Sequence, residues 1–447
     1  MPAQKPENRV LDAEESFPRE RMAALQLERL RKMIDYAKAR TPFYEKALAG
    51  VSGGDLKSLD DIRRLPVTTK ADLRDAYPLG FMAIPRHEIA RIHGSSGTTG
   101  KMTFVPYSKN DLRNWTRLVA RFLCAGGLGP GQLVQISFGY GLFTGGFGLH
   151  YGVEEMGSAV VPAASGNTER QLAIIRDLRP DGLVCTPSYA LALGEAIRAH
   201  GVKPGDLSLK LGFFGGEPWT DEIRRRIEED TGLFATDNYG LSEVIGPGAS
   251  GECVERRGMH FSEDHFLVEC LDPDTLSPVD EGGRGELVIT TLTKEGMPVI
   301  RYRTRDIASL NRAPCPCGRT GVRMSRVTGR SDDMLVIRGV NVYPTQIEEA
   351  LLRVREAAPH YLIEVTRPFA MDEVKVKVEV APEMFSASMS DMVKLQERLA
   401  AAISSVTGIR MTVELVAPHT LERFQGKAKR VSDLRAAPAG KQAARPQ

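Results

Sequence analysis

Between Arg91 and Lys101 the chain reads Arg-Ile-His-Gly-Ser-Ser-Gly-Thr-Thr-Gly-Lys. Glycines at this density let backbone N–H groups turn tightly around an anion. Ser95, Ser96, Thr98 and Thr99 add hydroxyl donors and Lys101 adds a cation. A loop of this chemistry suits a polyphosphate. It is not a Walker loop, which requires Gly-x4-Gly-Lys-Ser/Thr; here the first glycine position is Ser95 and the hydroxyl position is Met102. A Gly/Ser/Thr linker has a similar composition, but a linker would not be flanked by the strand-like Ala-Arg-Ile-His and Thr-Phe-Val-Pro-Tyr.

Two further groupings carry chemistry. Cys315-Pro-Cys317 is a tight thiol pair on a turn-forming loop, and Cys253 and His260 lie together in Glu-Cys-Val-Glu-Arg-Arg-Gly-Met-His. A C-x-C pair alone is weak, but three thiolates and one imidazole would close a tetrahedral zinc site. The competing reading is four unlinked residues. The segment Ser137–Gly148 sets Tyr140, Phe143 and Phe147 among glycines. Glycines leave room and rings give flat apolar walls, as a pocket for an aryl group requires; packing within a glycine-rich turn would use the same residues.

The elements that must position these residues are legible as patterns. Residues from about Arg19 to Arg40 read as an amphipathic helix with Leu27, Leu30, Ile34 and Ala37 on one stripe. From Gly131 onward, short apolar runs such as GQLVQISF, GLVCTPSY and KLGFFGGE alternate with helical patterns such as ERQLAIIRDLR and TDEIRRRIEEDTG. This alternation predicts α/β architecture, with a parallel sheet covered on both faces. After about Gly251, HFLVEC and GELVITTL predict a small β region packed beside the main sheet. Beyond Gly329 the order is helix, strand, strand, helix, strand. In Val-Lys-Val-Lys-Val-Glu-Val the valines at 374, 376, 378 and 380 share one face, leaving Lys375, Lys377 and Glu379 toward solvent. The expected organisation is a large N-terminal domain over 1–329, a small mobile α+β domain over 330–435 and a disordered tail over 436–447.

The composition excludes several classes. Lys+Arg 59 against Asp+Glu 57 leaves a net charge of +2, too balanced for a nucleic-acid or membrane-surface partner. No stretch approaches the roughly 18 apolar residues of a membrane span, and six cysteines in 447 residues do not form a disulfide framework. The expectation is a cytoplasmic protein.

Taken in order, Ser-Ser-Gly-Thr-Thr-Gly-Lys, Gly-Gly-Glu-Pro-Trp, Asn-Tyr-Gly-Leu-Ser-Glu, Arg-Tyr-Arg-Thr-Arg-Asp, Gly-Arg-Ser-Asp-Asp and the late Gln-Gly-Lys-Ala-Lys-Arg resemble the motif series of adenylate-forming enzymes. The likeness is to the phenylacetate–coenzyme A ligase branch and covers about Ala23 to Arg435. It implies an ATP-dependent ligase that makes an acyl-adenylate from a small aryl acid, then a thioester with coenzyme A. It further implies that Ser95–Lys101, including Gly97, Thr98 and Gly100, hold the triphosphate. Glu243 would hold Mg²⁺, a hard cation that takes oxygen ligands. Gly215, Gly216, Glu217, Pro218, Asn238 and Tyr239 would enclose adenine at the ends of parallel strands. Asp306 would accept the ribose hydroxyls, with Arg330 beside them; an ion pair with Arg303 or Arg305 is its alternative.

Adenylation and thioester formation use one site, so the resemblance implies a C-terminal domain that rotates about Asp332. Lys427, the Gly-Lys of the late motif, would reach the reacting carboxylate during adenylation only. Related enzymes also imply a homodimer. One rival, loading of a carrier-protein phosphopantetheine thiol, shares every motif and differs in its acceptor. A second, a nucleotide sensor without catalysis, is opposed by the joint presence of Glu243, Asp306 and Lys427.

Overall fold

The computed structural model describes residues 4–95, 102–337, 340–354, 356–367, 372–381, 384, 388–422 and 430–435. The chain divides into two compact units, Met1–Pro218 with Arg224–Val327, and Trp219–Ile223 with Thr328–Gln447.

The larger unit begins with helices α1 (Arg19–Arg40), α2 (Pro42–Ala47) and α3 (Lys70–Asp75). The α1 stripe is as expected: Leu30, Ile34 and Ala37 are fully buried, joined by Met22 and Met33. A hairpin of β1 (Arg91–Ser95) and β2 (Thr103–Tyr107) follows, then α4 (Lys109–Ala125). Next come β3 (Leu133–Ile136), α5 (Thr144–Glu155), β4 (Ala159–Val161), α6 (Thr168–Leu178), β5 (Gly182–Cys185), α7 (Pro187–Ala199), β6 (Leu211–Gly215), α8 (Asp221–Thr231) and β7 (Phe234–Leu241). Strands β4, β3, β5, β6 and β7 pair in parallel in that order. The central β5 and β6 are buried throughout and read as continuous apolar runs. Helices α7 and α8 stop where Gly201 and Gly232 take φ +66° and +75°, the left-handed turn that glycine adopts without a Cβ clash.

The β region differs from its expected placement. Strands β8 (Gly246–Glu252), β9 (Met259–Phe261), β10 (Phe266–Leu271), β11 (Arg284–Thr291), β12 (Tyr302–Asn311) and β13 (Arg323–Met324) continue the main sheet rather than pack beside it. The order is β10-β11-β12-β13-β9-β8-β7-β6-β5-β3-β4. The cause is the turn after β7, which sends β8 back antiparallel along the β7 edge, so the backbone bonds of that edge are met by the next strand.

In the smaller unit, the short β14 (Gly329–Arg330) precedes a hairpin of β15 (Leu335–Ile337) and β16 (Val340–Val342), then α9 (Pro344–Leu352). Strands β17 (Ala357–Thr366) and β18 (Glu373–Val380), helix α10 (Met389–Thr407), β19 (Thr412–Val416) and β20 (Val431–Asp433) complete it, with sheet order β19-β18-β17-β20. Val374, Val376, Val378 and Val380 are buried in a core separate from that of the larger unit. Glu379 departs from the expected alternation: it is 1% exposed. Its carboxylate accepts from the Leu421 N–H at 2.7 Å and the His419 N–H at 3.2 Å, because the loop after β19 covers the outer face of β18 at its end.

Candidate nucleotide and acyl site

Ser96, Gly97, Thr98, Thr99, Gly100, Lys101 and Lys427 lie outside the described residues. Ser95 closes β1 opposite Thr103, and its Oγ is buried without a hydrogen-bond partner among the described residues. Just before it, the Gly94 N–H and His93 Nδ1 both meet the Leu142 carbonyl, at 2.9 and 3.0 Å. The strand entering the phosphate loop is thereby tied to the glycine–aromatic segment 137–148. With Nδ1 donating, Nε2 of His93 is an acceptor, and it is buried without a partner among the described residues. Burial holds His93 below the usual imidazole range, so the ring is neutral at pH 7.

In that segment Tyr140 and Phe147 meet edge to face, 5.4 Å between ring centres. Phe147 also stacks along Tyr151 at 6.3 Å and lies 6.0 Å from His93, and Arg91 covers both rings at 5.1 and 4.9 Å. The Tyr140 hydroxyl pairs with His150 Nδ1 at 3.1 Å, and burial raises its pKa to about 12. Phe143 does not join them. It precedes α5 as its N-cap and is 52% exposed, because the turn that starts α5 directs it outward.

The carboxyl ends of β6 and β7 meet in register, Gly215 opposite Asn238. A Cβ on Gly215 would lie 2.4 Å from the Asn238 carbonyl, so only glycine fits there. Asn238 donates from Nδ2 to the Phe214 carbonyl at 2.7 Å, which locks the two strand ends. Gly216 takes φ +85° and turns the chain so that Glu217 accepts the Ser188 N–H at 2.7 Å. That N–H belongs to the first turn of α7, where a carboxylate is favoured. Pro218 is exposed.

One residue on, Tyr239 is half-buried, and its hydroxyl donates to Asp306 Oδ2 at 2.7 Å. Asp306 lies on β12, and its N–H donates to Thr304 Oγ1 at 3.1 Å. Arg303 and Arg305, the expected competitors for Asp306, both turn to the buried Glu286, at 2.6 and 3.7 Å.

Glu243 occupies the turn between β7 and β8 and is 4% exposed. Three contacts hold that turn. The Lys70 ammonium lies 3.3 Å from Glu243 Oε1, Lys294 Nζ donates to the Glu243 carbonyl at 3.2 Å, and the Tyr107 hydroxyl donates to the Ile245 carbonyl at 3.1 Å. Lys294 sits 4.7 Å above the Tyr107 ring; burial lowers its pKa to about 7, opposed by Asp111 and Glu243. Thr144 at the start of α5 bonds Ser242 at 3.2 Å. Sequence reasoning missed Lys70, Lys294 and His93. His93 is inside the quoted Arg91–Lys101 motif, whereas nothing local marks Lys294 as buried or Lys70 as reaching residue 243.

In the smaller unit Arg330 pairs with Asp332 through two bonds of 2.9 and 3.0 Å and lies 3.5 Å from Asp333. The two aspartates are more than half exposed, so the pairing contributes under about 1 kcal/mol.

The Cys/His grouping does assemble. One ligand atom each from Cys253, His260, Cys315 and Cys317 lie within 4.8 Å of one another, and all four residues are buried. Cys253 follows β8, His260 is on β9, and the two other cysteines lie in the loop between β12 and β13. The Cys253 and Cys315 sulfurs are 3.8 Å apart, and Cys317 Sγ is 3.5 Å from His260 Nε2. The Cys253 thiol and the His260 ring hold Cys317 far below the usual thiol range, while the shared hydrogen bond to Cys317 and burial push Cys253 up. A set of three thiols and one imidazole at this separation fits a tetrahedral zinc ion. Among the described residues no helix is long and apolar enough to cross a membrane.

Residues 22–293 match the AMP-binding enzyme family and residues 339–435 match the AMP-binding enzyme C-terminal domain. The chain is 50% identical over 437 residues to the phenylacetate-coenzyme A ligase of Thermus thermophilus, covering 94% of this chain and 98% of the relative. It is 45% identical over 432 residues to the Escherichia coli enzyme of the same name, covering 96% and 98%. Among solved structures, 2-hydroxyisobutyryl-CoA ligase with a bound acyl-AMP superposes with a TM-score of 0.89 at 30% identity, over 96% of this chain and 94% of that one. With the motif series, the paired strand ends and these matches together, the chain belongs to the phenylacetate–coenzyme A ligase family of AMP-binding enzymes, which are AMP-forming acid–CoA ligases.

Proposed function

We propose that this protein joins a small aryl acid of the phenylacetate type to coenzyme A in two half-reactions. In the first, a carboxylate oxygen attacks the α-phosphorus of ATP, the α–β anhydride bond breaks and pyrophosphate leaves. In the second, the thiolate of coenzyme A attacks the acyl carbonyl and AMP leaves. The observation that carries the reading is the grouping of Tyr239, Asp306 and the gripped Glu243 turn around the carboxyl end of β7, where α/β sheets bind nucleotides.

In this reading Asp306 accepts the ribose hydroxyls and is oriented by Tyr239. Glu243 supplies the oxygen ligand for the Mg²⁺ that accompanies ATP and balances phosphate charge. Lys427 brings a point charge to the reacting carboxylate, while Ser95–Lys101 hold the triphosphate. Tyr140 and Phe147 wall the acyl pocket. Movement of the smaller unit about Asp332 exchanges the two half-reactions. Cys253, His260, Cys315 and Cys317 hold a structural zinc ion, supported by their mutual reach and burial. The relatives' names favour free coenzyme A over a carrier-protein thiol as acceptor. A cytoplasmic homodimer completes the reading; sedimentation at micromolar concentration tests the assembly.

The deciding experiment measures pyrophosphate release from ATP and Mg²⁺ with a panel of aryl and alkyl acids, with and without coenzyme A. Release confined to arylacetic and related aryl acids, with thioester appearing only with coenzyme A, is expected. No AMP from any acid would overturn the reading.

A further inference from the structure

The segment ahead of α1 makes contacts that neither the nucleotide chemistry nor the acyl pocket uses, and they converge on one place. Asn8 donates from Nδ2 to the Cys317 carbonyl at 2.8 Å. Arg319, two residues beyond Cys317, donates to the Arg9 carbonyl and to Glu15 Oε2, both at 2.6 Å. Thr320 donates from its hydroxyl to the Phe17 carbonyl at 2.6 Å and from its N–H to the Glu15 carbonyl at 3.1 Å. On the other side of the cluster, Lys5 pairs with Glu255, two residues after Cys253, at 2.8 Å.

Arg319 ties this segment to the loop that carries Cys317. Arg319 and Glu15 are nearly excluded from solvent, with side chains 2% and 9% exposed. The same segment walls a cavity of about 30 Å³ that His260 shares with Glu14, Glu15 and Arg319. His260 Nδ1 is buried without a hydrogen-bond partner among the described residues. When Nε2 ligates a metal, Nδ1 carries the proton and wants an acceptor, and carboxylates of this segment border its cavity. Hydrogen bonds of this outer ring orient ligands and govern how well a metal is retained.

We propose that residues 5–17 form a strap that is the outer support of the Cys253/His260/Cys315/Cys317 metal centre, so that strap docking and metal retention are coupled. The proposal rests on the zinc reading above. Coupling of this kind is reciprocal: a docked strap slows metal loss, and metal loss frees the strap. Asn8 and Glu15 are its positioning residues, acting through Cys317 and Arg319.

The test uses the full-length protein as purified. Metal analysis comes first; about one equivalent of zinc is expected, and less than a tenth would overturn the metal reading and the strap proposal together. Zinc transfer to a chromophoric chelator is then timed for the parent, Asn8→Ala and Glu15→Gln. Asn8 is exposed, so its truncation leaves the core untouched, and far-UV circular dichroism checks that both variants fold. Transfer about tenfold faster in the variants is expected. Trypsin provides the reciprocal measurement, because the Arg9–Val10 bond should resist cleavage in the zinc-loaded protein and yield after chelation. If zinc is present but transfer in Asn8→Ala and Glu15→Gln stays within twofold of the parent, or Arg9–Val10 is cut equally with and without metal, the strap proposal fails while the zinc reading stands.

Discussion

At the scale of single residues, the proposed roles separate groups that bind nucleotide from the group that acts in one half-reaction. Lys427→Ala is expected to abolish acyl-adenylate formation nearly completely while sparing thioester formation from supplied acyl-adenylate. Equal loss in both assays would contradict the two-step scheme. Asp306→Asn should raise KM for ATP about tenfold, since a hydrogen bond to a charged acceptor contributes about 1.5 kcal/mol. Tyr239→Phe removes only the hydroxyl bonded to Asp306 and should act less strongly in the same direction; steady-state pyrophosphate release against ATP concentration reads both. Lys294 stands apart. It is buried, its ammonium faces the Glu243 carbonyl and the Tyr107 ring, and no feature of its neighbours in sequence anticipates that place.

At the scale of elements, the decisive feature is the turn from β7 into β8. It ends the parallel half of the sheet, begins the antiparallel half and carries Glu243. Close backbone approach is built in: a Cβ on Gly240 would lie 1.8 Å from the Gly246 carbonyl oxygen. Gly240→Ala therefore cannot be absorbed by a side-chain rotation. It is expected to destabilise the protein by about 3 kcal/mol and to depress ATP turnover more than the stability loss explains. Urea unfolding followed by assay of the folded fraction checks both; a change within about 0.5 kcal/mol would show that the turn is not under this constraint. The Glu379 departure belongs to this scale too. A period-two pattern reports which face a residue takes, not whether a later loop will cover the outer face.

At the scale of the whole molecule, the Cys253/His260/Cys315/Cys317 cluster joins three places far apart in sequence: the end of β8, strand β9 and the loop before β13. His260 lies in the sheet that also carries Tyr239 and Asp306, and the three cysteines follow or connect its strands. If zinc is retained at about a thousandfold its dissociation constant, it contributes about 4 kcal/mol. At roughly 1.5 °C per kcal/mol for a unit of about 320 residues, chelation should lower Tm by about 6 °C in a thermal scan. Restoring zinc, and not Mg²⁺, should reverse the loss.

Much was decided by local order along the chain. The α1 stripe, the alternating strands and helices, the glycine stops of α7 and α8 and the motif series each depend on neighbours within a few residues, so periodicity and turn chemistry expose them. The pairing of Cys253 and His260 with Cys315 and Cys317 was also open to reading, because thiols and imidazole advertise their chemistry wherever they fall. Tertiary structure alone decided the rest. It made the later strands continue the main sheet, turned Phe143 outward, buried Glu379, sent Arg303 and Arg305 to Glu286, and brought Lys70 and Lys294 onto the Glu243 turn. Those outcomes depend on which surfaces meet across hundreds of residues, where burial and charge pairing are set by packing and leave no periodic trace in the sequence.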